Sequence, residues 1–498
     1  MPTRSSQSKG RQLLQAIFVF CLLQFTLLTH ASIPFVQQAY VKASNTGKND
    51  LFGHAVAISS DTLVVGAYGE GSDGSSQDDN SDSEAGAVYV FVSNGNSWSQ
   101  QAFLKASNIP EADRFGISVA ISGDTLVVGA PVEWSDATGV DGERTNSAIF
   151  SGAAYVFVRS GETWSQQAYL KASNTGEGDR FGTSVAISGD TVVVGAIGED
   201  SNAIDVDGDQ LDNSLLDPGA VYVFNRVDEI WSQQAYLKAS NTGTGDEFGE
   251  SVAIDGNTVV VGASRERSNG RSEDDDSLLF AGAAYVFIRS DETWSQQAYL
   301  KSGRFIPDRD DNFGKSVAIS GDTIVVGTPG EDSNGTFEGD DSAANSGAAY
   351  VFVRSDGNWS QQAWLKASNI SRLDLFGGSV SVSGNTIVVG ATEEDSDDIG
   401  VSEVGVNNFA APDSGAAYIF ERNNSIWSHK AYVKASNTDS DDAFGSAVAV
   451  SGLRVAIGAE VERSSATGVN GDQLINDLNA YGAVYVFKAD IVFKDDFE

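Results

Sequence analysis

The chain repeats itself seven times, and that fact limits its fold more than any other. The pair Phe-Gly recurs at Phe52, Phe115, Phe181, Phe248, Phe313, Phe376 and Phe444, at intervals of 63, 66, 67, 65, 63 and 68 residues. A second marker, "VVGA" or a near variant, ends at Ala67, Ala130, Ala196, Ala263, Thr328, Ala391 and Ala459. A third, "GAVYVF" or "GAAYVF", begins at Gly86, Gly152, Gly219, Gly282, Gly347, Gly415 and Gly482. Every unit holds the three in the same order. A length of 498 residues would by itself suggest roughly three domains; the repeat replaces that expectation with seven copies of one unit.

Each unit predicts four antiparallel strands. "SVAIS" alternates large and small residues, and "TVVVGA" is a nearly continuous β-branched run suited to a central strand buried on both faces. Two-residue turns such as Gly189-Asp190 close the hairpin between them. "GAVYVFVRS" and "WSQQAYLKAS" supply the third and fourth strands, and no segment shows sustained helical periodicity. The ends decide between a ring and a linear array. The chain opens on "FVQQAYVKAS" (Phe35 to Ser44), a fourth-strand sequence, and finishes on a third strand, "GAVYVFK" (Gly482 to Lys488). Joining the orphan first strand to the last unit closes a ring and removes open sheet edges. The expectation is an all-β, seven-bladed β-propeller of four-stranded antiparallel blades.

With these markers the chain resembles the FG-GAP repeat proteins, the propellers of integrin α chains and of many exported bacterial proteins. The resemblance covers about residues 35 to 488 and all seven units. It implies a seven-bladed propeller used for extracellular recognition. It does not carry over the family's calcium ligands. A "DxDxDG" loop between strands one and two is implied by the family, whereas that loop here is only "SGDT", "DGNT" or "SGNT".

The chain ends and the composition frame the function. Arg4, Lys9 and Arg11 precede an apolar run from Gln12 to Leu28, and "THA" follows, the grammar of a secretory signal over residues 1–31. The alternative is a retained membrane anchor, for which the run is short and contains two glutamines. The propeller is then assigned to 32–488 and a short tail to 489–498. The only cysteine, Cys21, lies in the leader, so disulfides and cysteine chemistry are not expected in the exported chain. Acidic residues number 69 against 31 basic ones, for a formal net charge of −38. Such a field repels nucleic acid and anionic membrane. A monomer without a membrane span is expected.

Variation between the copies is confined to the loops joining strands two and three, at 68–85, 131–151, 197–218, 264–281, 329–346, 392–414 and 460–481. Strand alternation puts these loops and the crossovers between units at one end of the ring. They hold 38 of the 69 acids, five arginines and no lysine. A solvated acidic rim explains that composition. Calcium binding explains it too, because closely spaced carboxylates and carbonyls supply the six to eight oxygens that calcium takes. "DVDGDQLDN" is the strongest candidate, with Asp205, Asp207, Asp209 and Asp212 as ligands; Asp78, Asp79, Asp274 to Asp276, Asp340, Asp341 and Asp472 are weaker ones. Trp134, an aromatic in an acidic loop, is a candidate for stacking on a sugar or anchoring a partner. Arg265 and Arg267 give the fourth loop local positive charge, either a recognition spot or an offset for nearby acids.

No catalytic residue is assigned: "GxSxG", "HExxH" and phosphate-cradling loops are absent. The expectation is therefore a non-enzymatic, secreted or cell-surface recognition and adhesion propeller. Its partner would be an extracellular protein or glycan bound on the long-loop face, with Ca2+ assisting. The alternatives are a carbohydrate-active enzyme using loop carboxylates such as Glu199 and Asp200, or an exported structural protein.

Overall fold

The computed structural model describes residues 35–490, apart from 75, 78–80, 82–83, 108–111, 274, 304–308 and 478. The leader, most of the tail, and Asp78, Asp79 and Asp274 lie outside the described residues. Within them the chain is all β and forms seven antiparallel sheets. The third blade is typical. Its strands Phe181–Ser188, Thr191–Ala196, Ala220–Val227 and Ile230–Leu237 pair in sequence order. The second strands are buried from end to end in five of the blades and in all but their first residue in the other two, Thr386–Ala391 and Arg454–Ala459. That is what a strand packed on both faces requires. First strands of neighbouring blades touch around the axis, and the last, Phe444–Ser451, meets the first, Ala55–Ser59.

The seventh sheet closes the ring. Phe35–Val41 pairs with Ala483–Ala489, which pairs with Arg454–Ala459 and then Phe444–Ser451. Ala489, placed in the tail by the sequence reading, belongs to this strand. The closing seam has the same core as the others. Val41, Ala456 and Val484 of the seventh blade bury against Phe52, Leu63 and Val65 of the first. Two charged contacts cross it: His54 Nδ1 lies 2.5 Å from Glu460 Oε2, and Arg454 Nη1 lies 2.5 Å from Asp61 Oδ1.

The Phe-Gly marker is explained by these seams. Phe181 is fully buried, edge-on to Tyr222 at 5.4 Å and Phe224 at 6.1 Å. Gly182 has φ +94°, and a Cβ there would stand 2.2 Å from the Ala153 carbonyl oxygen of the preceding blade. The glycine of "VVGA" is needed for the same kind of approach: a Cβ on Gly195 would lie 2.1 Å from the Gly249 carbonyl oxygen of the next blade. The relation is kept at closure, where Gly458 meets the Gly53 carbonyl oxygen at 2.1 Å.

The outer ends of the blades are stapled on the hairpin side. In six blades the fourth-strand Trp donates Nε1–H to a Gln of the preceding blade, at 2.8–3.1 Å. An arginine lies over each of these rings. In five blades it comes from the third strand, as Arg159 does over Trp164. In the first blade that position is Ser93, and Arg454 of the seventh blade reaches Trp98 from the other side of the seam. The repeated tryptophans thus join blades.

Candidate functional site

The long loops and the crossovers share one end of the ring, and each loop begins with a buried acid. A glutamate stands three residues past the last residue of every second strand: Glu70, Glu133, Glu199, Glu266, Glu331, Glu394 and Glu462. Each is paired with a lysine that follows the fourth strand of its own blade, at 2.7–3.0 Å. In the third blade the pair is Glu199 and Lys238, with side chains 1% and 0% exposed. Asn174, from the preceding crossover, donates to the same Glu199 at 2.9 Å and accepts from the Tyr222 hydroxyl at 2.6 Å. The Ser201 backbone N–H donates to Glu199 Oε2. One carboxylate therefore ties loop, outer strand and crossover together. Burial pulls Lys238 below its usual pKa, and Glu199 opposes that pull.

A second buried acid sits in each crossover, two residues before the Phe-Gly. The Asp179 carboxylate accepts the Gly176 backbone N–H at 2.6 Å. Burial pushes Asp50, Asp179, Asp246 and Asp374 up to about 7, and Asp113 and Asp442 to about 8, with the neighbouring glutamate adding to each rise. In Asp374 and Asp442 one carboxylate oxygen is buried without a hydrogen bond.

These pairs correct the reading of the long loops as a wholly solvated acidic rim. Seven of the loop acids are internal, and their lysine partners come from outside the loops. Glu199 of the Glu199–Asp200 pair is among them, and Asp200 accepts the Asp217 backbone N–H at 3.0 Å.

The candidate residues fall in three different blades. Trp134 is in the second, 42% exposed, edge-on to Phe150 at 5.8 Å with exposed Ile149 beside it. Arg265 and Arg267 are in the fourth. Arg265 is paired with Glu247 at 2.7 Å and lies over the Phe280 ring. Arg267 is half-buried near Gly245, where burial pushes the Asp246 carboxyl up and the arginine's charge offsets a small part of that rise. Both arginines offset local acids.

Asp205, Asp207, Asp209 and Asp212 are in the third, and their carboxylates do not gather round a common point. Asp207 Oδ1 accepts the Tyr236 N–H, Asp209 Oδ1 the Leu211 N–H and Asp212 Oδ1 the Ser214 N–H. Asp205 contributes its backbone carbonyl to Lys238 N–H. The segment runs along the outer strand, with Val206 bridged to Leu237. Among the described residues, no three His, Cys, Asp or Glu side chains are grouped to hold a metal ion. This donor set therefore does not fit a calcium cage. Asp207 caps an edge of the blade, as Asp141 does on Tyr169 N–H in the second blade and Asn470 on Tyr40 N–H in the seventh, while Asp209 and Asp212 cap turns of their own loop.

Among the described residues no helix is long and apolar enough to cross a membrane. No curated protein matches the chain at a significant level. The FG-GAP repeat family model matches residues 35–91, 98–157, 164–224, 231–287, 307–352, 359–420 and 427–487. Six of the matches run from the outer strand of one blade through the third strand of the next; the fifth, 307–352, starts beyond the outer strand Thr293–Leu300. With seven matches over nearly the whole ring, this chain belongs to the FG-GAP repeat family.

Proposed function

We propose that the protein is a secreted or cell-surface recognition propeller that holds a protein or glycan partner on its long-loop face. One observation carries the reading. Of the nineteen large apolar side chains that stand exposed among the described residues, thirteen lie in the seven long loops. The same loops carry most of the acids. Apolar side chains held out on a rigid scaffold mark contact surfaces, and loops are where such scaffolds place them. The leader pattern of residues 12–31 supports export. The reading needs no metal.

The test is a binding screen of immobilised glycans and extracellular proteins. Wild type should be retained on at least one surface, and Trp134→Ala should weaken that binding by about thirtyfold, the scale of a 2 kcal/mol anchor. Ile230→Ser, on the opposite face, should leave it unchanged. Failure of every surface to retain wild type, or equal losses for the two variants, overturns the proposal.

A further inference from the structure

The long loop of the sixth blade, residues 392–414, lies along its outer strand for a longer stretch than those of the second, third and seventh blades, which make single bridges there. Within it Val401–Ser402 forms a fifth strand, with Val401 opposite Val433 and Ser402 opposite Tyr432 of the outer strand Ile426–Val433. Gly400 accepts from Lys434 N–H at 2.8 Å. The Gly405 N–H donates to Ser368 Oγ, and a Cβ on Gly405 would stand 2.5 Å from the Asn369 side chain of the preceding crossover. Asn407 donates to the Ile370 carbonyl at 3.2 Å. Asp397 and Asn408 exchange two hydrogen bonds across the neck of the loop. The segment is thus fixed at its base, its middle and its return.

A loop held so firmly still turns aliphatic side chains outwards. Ile399, Val404 and Val406 are 67%, 59% and 54% exposed. They line a concavity of about 420 Å³ that also includes Asp397, Asp398 and Ser402. Exposed aliphatics on a fixed frame lose little further entropy on binding, which is how a ready-made contact site differs from a loose loop. The charge is of one sign. Residues 392–414 contain no lysine or arginine. Asp398 and Glu403 make no side-chain hydrogen bond or ion pair with the described residues, in contrast to Asp207, Asp209 and Asp212 of the third blade, whose carboxylates cap backbone N–H groups.

We infer that this concavity takes a polypeptide segment in which a lysine or arginine stands next to an aliphatic side chain. The aliphatic group fits against Ile399, Val404 and Val406, and the cation sits by Asp398. A sugar is disfavoured because the site presents no aromatic face: Tyr432 is 1% exposed. The inference rests on the reading of the long-loop face as a recognition surface, and it names a patch four blades on from Trp134.

The test uses three labelled nine-residue peptides, alternating Lys-Leu, Glu-Leu and Lys-Ser, in fluorescence anisotropy titrations against the full chain. Lys-Leu should bind, Glu-Leu should not, and Lys-Ser should bind at least about tenfold more weakly. Asp398→Asn with Val404→Ser, both at exposed or half-exposed positions, should weaken Lys-Leu binding at least about tenfold with the melting temperature unchanged. Trp134→Ala should leave Lys-Leu binding intact, so loss of partner capture in the screen above and loss of this site are read separately. Equal binding of Lys-Leu and Lys-Ser would reduce the interaction to the charge of the whole face and overturn the inference. So would absence of Lys-Leu binding, or no effect of the sixth-blade variant.

Discussion

The base and the tip of each long loop are a few residues apart and follow opposite rules. At the base, all seven blades bury the same glutamate–lysine pair. Towards the tips the blades diverge: Trp134 meets Phe150 in the second, carboxylates cap backbone in the third, aliphatics line a concavity in the sixth. Charge is therefore used twice in one segment. Buried at the base, it fixes where the loop starts and how the crossover lies against it; at the tip, it is free to differ. A buried ion pair gives little net stability over an apolar substitute, but half of one is severely unfavourable. That asymmetry holds the base constant while the tip changes.

The largest expected effect comes from breaking a base. Lys238→Met strands Glu199 in the interior and should lower unfolding free energy by about 3–5 kcal/mol, measured by urea denaturation. Adding Glu199→Gln should recover much of that loss. A single variant as stable as wild type would mean that the pair is solvated, and the contrast between base and tip would fail.

A smaller effect concerns the crossover aspartates. Their folded pKa values of about 7 to 8 lie above the ordinary 3.8. The folded chain therefore binds more protons than the unfolded one between those limits. The resulting stability is fully present below about pH 4 and is lost as pH rises through 7 to 8. The melting temperature should climb as pH is lowered from 8 to 5, and Asp442→Asn should flatten part of that slope. A melting temperature that falls over this range would contradict the burial of these groups.

The smallest effect sharpens the comparison on the hairpin side. Arg454→Thr removes the cation over Trp98 and the partner of Asp61, a loss of about 1 kcal/mol. Adding Ser93→Arg should restore it by supplying the arrangement used in five other blades. If the double variant is no better than the single, the arginine's place across the seam is not interchangeable.

Much of this was legible in the sequence. Three markers at a steady interval gave the blades, and the phase of the ends gave the closure. The base of the loops was also written there, in register: a glutamate three residues past each second strand and a lysine after each fourth. It is hidden because the glutamate sits among acids that do face solvent, and its lysine lies 35 to 40 residues further on in six blades and 420 residues back in the seventh. Composition cannot separate two carboxylates with opposite surroundings; seven-fold recurrence at one position can. The arrangement of Asp205 to Asp212 was not legible for a related reason. Spacing along the chain brings side chains to a common point only if the backbone curls round one, and here it runs along a strand edge. The sixth-blade concavity gave no signal in advance, since "IGVSEVGV" reads as an ordinary loop until its fifth strand is seen.

The pairing of Phe35 with Ala489 has a mechanical consequence. Both ends of the toroid emerge at one corner, on adjacent antiparallel ribbons. A pull applied between them would peel that pair apart bond after bond, like a zip, instead of shearing all of its bonds together. Tension is thus the one load this clasp resists least, whereas heat must undo the whole circle at once.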